Sequence, residues 1–262
     1  MPTRHALRQR LEAGEFCAGP FLKIPDPAIT ELAGIAGFDF VVVDLEHSAF
    51  SMETAVGMVR AAALREIDAV IRVSSPDPAE LSRALDTGAS GVIVPQVTSP
   101  EAAREVVAHT RFHPLGRRGM DLYARAADWG GVARPDYLAD ANERVLVAAM
   151  VEGADAFEQL PAIAAVEGLD LLFVGPYDLS QSLGLPGEID HPRVLARIEE
   201  GVGLARSHGR ALGIYVDDLP TALRYRDLGV QFVGMANDAD LLRRRFGDLA
   251  TALQAAPLAV EA

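Results

Sequence analysis

The 262-residue chain has a single cysteine, Cys17, and no lysine besides Lys23. One cysteine excludes an intrachain disulfide and a thiolate metal cluster, so Cys17 reads as a small core residue. Cations are scarce in general: 24 Lys and Arg face 37 Asp and Glu, for a formal charge of −13. Phosphate backbones and anionic lipid are bound by clustered Lys and Arg that release counterions. The opposite balance here excludes nucleic acid and membrane as partners. No run reaches the ~18 consecutive apolar residues of a membrane span. The opening stretch MPTRHALRQRLEAGEF is charged and amphipathic, without the apolar centre of a secretion signal, so a cytoplasmic protein is expected. Also missing are a Pro/Gly/Ser linker, a low-complexity block and the glycine-rich fingerprint that dinucleotide-binding sheets place after a strand. One domain over residues 1–262 is expected, with a core drawn from a chain that is 50% hydrophobic.

What the chain does have is repetition: a short β-rich apolar run, a polar break, then a helical pattern. Eight runs qualify, namely CAGPFL (17–22), FVVVD (40–44), AVIRV (69–73), GVIVP (91–95), VLVAAMVE (145–152), LLFVG (171–175), LGIYV (212–216) and FVGMA (232–236). Helical patterns lie between them, such as AELSRALDTG (79–88), which ends on the glycine favoured just past a helix C-terminus. Near-continuous apolar strands alternating with helices describe a parallel sheet covered on both faces. Eight such units predict closure into an α/β (β/α)8 TIM barrel, with an open doubly wound sheet as the alternative. Two segments depart from the rhythm. RFHPLGRRGMDLYARAADWGGVARPDYL (111–138) is a long inserted loop after the fourth unit, and loops of that length are usually functional or interfacial. The end, LLRRRFGDLATALQAAPLAVEA, reads as a helix and a small-residue tail, with Arg243 to Arg245 on a solvated or subunit-facing surface.

In such barrels chemistry gathers at the C-terminal ends of the strands. Those ends offer Lys23 (strand 1), Asp44, Glu46 and His47 (strand 2), Arg72 (strand 3), Glu152 (strand 5) and, through GPYDLS, Asp178 (strand 6). The loops after strands 7 and 8, DDLP and NDAD, are acidic where a phosphate site needs glycines and free amides, so a phosphorylated substrate is disfavoured. Glu152 and Asp178 sit at the ends of neighbouring strands, where two converging carboxylates repel unless something neutralises them. A divalent cation such as Mg²⁺ or Mn²⁺ would do so; pairing with Arg or capping of the following helix is the other reading. Arg72 needs an anion inside the barrel mouth, either Asp44 or Glu152 or a substrate carboxylate. His47, three residues beyond Asp44, is either placed for that carboxylate to fix its tautomer as a general acid/base or simply a solvated loop residue. A Schiff base on Lys23 is not expected, because it needs a depressed amine pKa; the side chain is left to meet an anionic acceptor.

Together FDFVVVDLEHS, VIRV, LDTGASGVIVPQVTSPEAA, HPLGRRG, the Glu of MVEG and FVGPYDLSQSLG resemble the class II, metal-dependent pyruvate aldolases of the 4-hydroxy-2-oxoheptanedioate aldolase and 2-dehydro-3-deoxyglucarate aldolase group. The resemblance implies a divalent metal (Mg²⁺, Mn²⁺ or Co²⁺) on Glu152 and Asp178, with pyruvate chelating it in a pocket that includes Phe21, Lys23, Gly175, Pro176 and Tyr177. It implies that Arg72 stabilises an enolate, that His47, oriented by Asp44, moves protons, and that Glu46 and Met150 stand behind the metal, Glu46 holding a metal-bound water. Asp86, in RALDTGA, matches a site acid that similar enzymes bring from an adjacent subunit. A homohexamer, a trimer of dimers with exchanged C-terminal helices, is implied as well. Three positions depart from the pattern: Met150 stands where several similar aldolases have Gln, Asp121 where Gly or Ser is usual, and Tyr177 where a small residue is usual. They bear on the acceptor pocket rather than on the metal.

The expected activity is reversible cleavage of a 4-hydroxy-2-oxo acid to pyruvate, or a related 2-oxo acid, and an aldehyde through a metal-bound enolate. Oxaloacetate decarboxylation, or a thioester lyase of the citrate lyase β-like type, would use the same enolate. A barrel that only binds small carboxylates is the non-enzymatic alternative.

Overall fold

The computed structural model describes residues 7–255; the first six residues of the charged opening and the tail from 256 onward lie outside the described residues. The chain begins with α1 (Leu7–Glu12) and continues as β1 (Cys17–Leu22), α2 (Pro27–Ala36), β2 (Phe40–Asp44), α3 (Met52–Leu64), β3 (Asp68–Arg72), α4 (Pro78–Asp86), β4 (Gly91–Val94) and α5 (Pro100–Thr110). After a 3-10 segment at Arg125–Gly130 come α6 (Arg134–Arg144), β5 (Leu146–Val151), α7 (Ala154–Glu158), α8 (Leu160–Ala164), β6 (Leu171–Val174) and α9 (Pro176–Ser182). The last elements are α10 (Pro192–Ser207), β7 (Ala211–Val216), α11 (Leu219–Leu228), β8 (Phe232–Asn237) and α12 (Asp238–Ala255). All eight strands pair in parallel in chain order and β8 closes on β1, which makes the expected barrel and removes the open-sheet alternative.

Local chemistry accounts for many of the boundaries. Asp26, Asp77, Ser99 and Asp218 each accept a backbone N–H at the start of α2, α4, α5 and α11, and in each of these helices a proline stands in the first turn, where no N–H is needed. The segment 111–138 is not one loop, because α6 begins within it at Arg134. Its aromatics build a small core of their own, with Phe112 edge-on to Tyr137 at 5.5 Å and Ala127 and Ala141 beside them.

Strand alternation divides the main core in two. Val41, Val43, Ile71, Val92 and Val94 pack outward against the helices, whereas Phe40, Val42, Val70, Ile93, Ala148, Met150 and Phe173 fill the barrel. Inside, Phe40 stacks on Phe232 at 4.0 Å and Phe173 meets Phe232 edge-on at 6.0 Å. Leu7 and Leu11 of α1 join this inner cluster and close the N-terminal end. Cys17 belongs to it as well, and burial pushes its thiol up to about 12, as suits a core residue. These rings fit because some inward positions carry no side chain. A Cβ on Gly19 would lie 2.0 Å from the Phe40 carbonyl oxygen and 2.7 Å from its ring. Backbone cannot swing aside as a side chain can, so Gly19→Ala is expected to lower stability by about 3 kcal/mol or more, read as a fall in the urea midpoint.

The same two-residue period aims the site. Lys23 continues the face of Phe21, Asp44 that of Val42, Arg72 that of Val70, and Glu152 that of Met150, so each inner-core residue is followed by a polar one at the barrel mouth.

Candidate active site

The strand register sets Asp44 directly beside Arg72. The guanidinium grips the carboxylate twice, Nε to Oδ1 at 2.9 Å and Nη2 to Oδ2 at 2.7 Å, and both residues are buried. Lys23 Nζ donates to the same Oδ2 at 2.9 Å, and the backbone N–H groups of Glu46 and His47 donate to Oδ1 at 3.1 and 3.2 Å. Burial by itself raises the Asp44 carboxyl, but hydrogen bonds and charge from Arg72 and then Lys23 outweigh it and bring the pKa down to about 2. Asp44 is therefore a fixed anion, and it is the chain's own partner for Arg72.

Two expectations are corrected here. Asp44 does not orient the His47 imidazole: its oxygens are taken by Arg72, Lys23 and main-chain amides, so it fixes the backbone of the turn instead. The imidazole is 61% exposed and its Nε2 lies 3.7 Å from Glu46 Oε2. Lys23 is not a free cation awaiting an acceptor, since its ammonium is bound to Asp44 and to the His47 carbonyl. Glu46 turns its Oε2 to Arg72 Nη1 at 3.1 Å, and burial raises its pKa.

The second cluster is Glu152, one residue past β5, and Asp178, which stands in the first turn of α9 rather than at a strand end. Glu152 Oε1 accepts the backbone N–H of Gln96 at 3.1 Å. Burial raises the Glu152 pKa; the Gln96 bond opposes this and the charge of Asp178 adds to it. Among the described residues the Asp178 carboxylate has neither a hydrogen bond nor an ion pair. Gly175 shows where the two acids converge. A Cβ there would lie 3.3 Å from Asp178 Oδ2, 3.6 Å from Glu152 Oε2 and 3.0 Å from Met150 Cε. Neither Arg pairing nor helix capping neutralises this pair, so a hard divalent cation fits the donor set. Among the described residues no group of three or more His, Cys, Asp or Glu suited to a metal is present, so two carboxylates leave most of a cation's positions to substrate and water.

Both clusters open into one cavity of about 210 Å³, lined among others by Phe21, Lys23, His47, Arg72, Met150, Gly175, Pro176, Tyr177 and Asp178. Of the expected residues outside that lining, Asp44 and Glu46 contact Arg72 and Glu152 lies beside Gly175, whereas Asp86 reaches none of it. It ends α4 and pairs with Arg118 Nη2 at 2.8 Å, away from the mouth of its own barrel.

Four residues were missed. Gln96 works through its backbone, in the left-handed region at φ 57°, and nothing in a side-chain pattern signals that. Tyr215 and Phe173 line the cavity from inside their strands and read only as core. Asp217 accepts a hydrogen bond from the Tyr177 hydroxyl; the acidic DDLP was visible, but not the residue facing it. The neighbouring acids hold the fold: Asp218 caps α11, and Asp238 accepts the backbone N–H groups of Lys23 and Ile24 at 2.8 and 3.0 Å.

The HpcH/HpaI aldolase/citrate lyase family matches residues 18–244. The chain belongs to that family. It is 39% identical over 244 residues to a hydroxypyruvate/pyruvate aldolase of Pseudomonas aeruginosa, covering 93% of this chain and 90% of that one. It is 36% identical over 258 residues to a 4-hydroxy-2-oxo-heptane-1,7-dioate aldolase of Escherichia coli, covering 95% and 98%. A crystal structure of an HpcH/HpaI aldolase/citrate lyase family protein from Burkholderia cenocepacia J2315 superposes with a TM-score of 0.90 at 33% identity, covering 95% of this chain and 99% of that one. This member of the family is accordingly a carbon–carbon lyase of the aldolase type. None of its described helices is long and apolar enough to cross a membrane.

Proposed function

We propose that this aldolase cleaves a 4-hydroxy-2-oxo acid reversibly to pyruvate, or a related 2-oxo acid, and an aldehyde, with a divalent metal held by Glu152 and Asp178. The observation that carries the reading is the approach of those two carboxylates to Gly175, at the wall of the cavity that Asp178, Arg72 and His47 line. A cation such as Mg²⁺, Mn²⁺ or Co²⁺ supplies Lewis-acid stabilisation of the negative charge that develops on the 2-oxo oxygen. The chain supplies the rest. Arg72 donates from Nε and Nη2 to Asp44 and sets Nη1 3.1 Å from Glu46 Oε2, which holds the guanidinium in place and leaves N–H groups for the substrate oxygens. His47, at the open side, takes the proton of the 4-hydroxyl. The electron pair of the C3–C4 bond becomes the C2–C3 double bond of the enolate, the aldehyde departs, and C3 takes the proton that His47 now carries, becoming the pyruvate methyl and restoring the neutral imidazole. Phe21, Met150 and Phe173 form the apolar floor that keeps bulk water from the enolate.

The reading includes a homo-oligomeric cytoplasmic enzyme, a hexamer built as a trimer of dimers with α12 exchanged. Exposed Phe246, Leu249 and Leu253 on α12 support burial of that helix by another copy. Asp86, remote from its own mouth, would then serve a neighbouring one.

The test needs no acceptor. Pyruvate alone in D₂O with Mg²⁺- or Mn²⁺-loaded enzyme is expected to lose its methyl proton signal. Chelation stops the exchange, and His47→Ala slows it by roughly 10²-fold. An enzyme that neither exchanges pyruvate protons nor cleaves any 4-hydroxy-2-oxo acid with these metals overturns the reading.

A further inference from the structure

The cavity mouth has two unlike walls. On the side of β1 to β3 stand Lys23, His47 and Arg72; facing them, from β6 and β7, stand Tyr177 and Tyr215. Tyr177, 43% exposed, is anchored by its hydroxyl to Asp217 just beyond β7. Its ring lies 6.5 Å from that of Tyr215, which packs edge-on to Phe21 at 5.5 Å and whose hydroxyl accepts from Asn237 Nδ2 at 3.3 Å. Because the Tyr177 proton goes to Asp217, its oxygen turns lone pairs to the cavity. This wall accepts hydrogen bonds, and a carboxylate stands behind it.

The charges around the mouth point the same way. Among the described residues lining or contacting the mouth, Asp44, Glu46, Glu152, Asp178 and Asp217 are faced by two Lys and Arg side chains, Lys23 and Arg72, and both of these are bound to Asp44. Arg244, whose charge also acts on Tyr177, is paired with Asp240. Even with a divalent cation in place, pyruvate brings its own carboxylate and the mouth stays net negative. A second carboxylate on the acceptor would enter that field with no unpaired Lys or Arg among the described residues of this mouth to meet it.

We propose that the space beside Tyr177, Tyr215 and Asp217 is the acceptor subsite, and that it selects uncharged, hydroxyl-bearing aldehydes over aldehydes ending in a carboxylate. The selection rests on the aldolase reading above. A substrate hydroxyl donates to the Tyr177 oxygen, and Asp217 both holds that oxygen in place and repels anions.

The experiment uses the metal-loaded enzyme in the synthetic direction, with saturating pyruvate and three acceptors: D-glyceraldehyde, propanal and 4-oxobutanoate. In the wild type kcat/KM is expected to favour D-glyceraldehyde over 4-oxobutanoate by at least about tenfold, with the difference in acceptor KM. Asp217→Asn should shift that ratio about tenfold toward 4-oxobutanoate. Tyr177→Phe should lower the preference for D-glyceraldehyde over propanal. Each result is a ratio within one protein, so a general loss of activity cancels. If Asp217→Asn does not fold, raising the ionic strength with the wild type must narrow the ratio instead. A wild type that prefers 4-oxobutanoate, or a ratio that neither Asp217→Asn nor salt moves, overturns the inference. Pyruvate exchange in D₂O with no addition to any of the three acceptors overturns the subsite while leaving the enolate reading standing; loss of both overturns the two together.

Discussion

Replacing Arg72 by Ala is expected to lower kcat/KM for cleavage by about 10³-fold or more, since removal of a single positioned donor to a developing oxyanion already costs about 10²–10³. The effect should fall on kcat more than on KM, because the charge on the 2-oxo oxygen grows toward the transition state. A second loss accompanies it. Asp44 is wholly buried and holds its low pKa only through Arg72 and Lys23, so truncation leaves a buried anion with half its support. Breaking such a pair from one side costs about 3–5 kcal/mol, which should appear as a lower urea midpoint. Arg72→Lys separates the two effects. It keeps a charge beside Asp44 and should recover much of the stability, but an ammonium cannot make the two-point grip on Asp44 while also facing Glu46 and the substrate. Near-wild-type turnover in Arg72→Lys would show that charge alone suffices and that the guanidinium geometry does not matter.

Most of the barrel could be read from the sequence because each strand carries its signal locally. FVVVD and LLFVG are too apolar for any place but a sheet covered on both sides, and their alternation also says which side chains face in. That is why Asp44, Arg72 and Glu152 could be placed at the mouth before any contact was known. What the sequence could not say was how they pair there. Asp44 has His47 three positions away, yet its partners are Arg72 and Lys23, brought from other strands by the register. Asp178 likewise belongs to the first turn of α9, because Pro176 starts a helix two residues after the strand ends. Backbone contributions such as the N–H of Gln96, and pairings between loops such as Tyr177 with Asp217, have no signature in spacing at all.

The proposed cation site yields the other large effect, and it can be read without turnover. Glu152→Gln keeps an oxygen able to accept the Gln96 N–H but removes one of the two charges that converge over Gly175. Mn²⁺ affinity, followed by the loss of free-ion EPR signal, is expected to fall by roughly 10²-fold, because one of the two proposed anionic ligands is gone. The stability signs should be opposite with and without metal. Without metal, relief of repulsion from Asp178 against a carboxylate already raised by burial should leave Tm unchanged or higher. With millimolar Mn²⁺, the Tm rise seen in the wild type should largely disappear, as linkage requires when the folded state no longer binds. Gly175→Ala tests the same site by volume alone. Its φ of −88° and ψ of 101° suit alanine, so the fold should survive, but the methyl would stand 3.3 Å from Asp178 Oδ2 and 3.6 Å from Glu152 Oε2, in the space proposed for the ion. About tenfold weaker Mn²⁺ binding in Gly175→Ala, with both carboxylates intact, would tie the affinity to that space rather than to general surface charge. Undiminished binding in both variants would place the metal elsewhere.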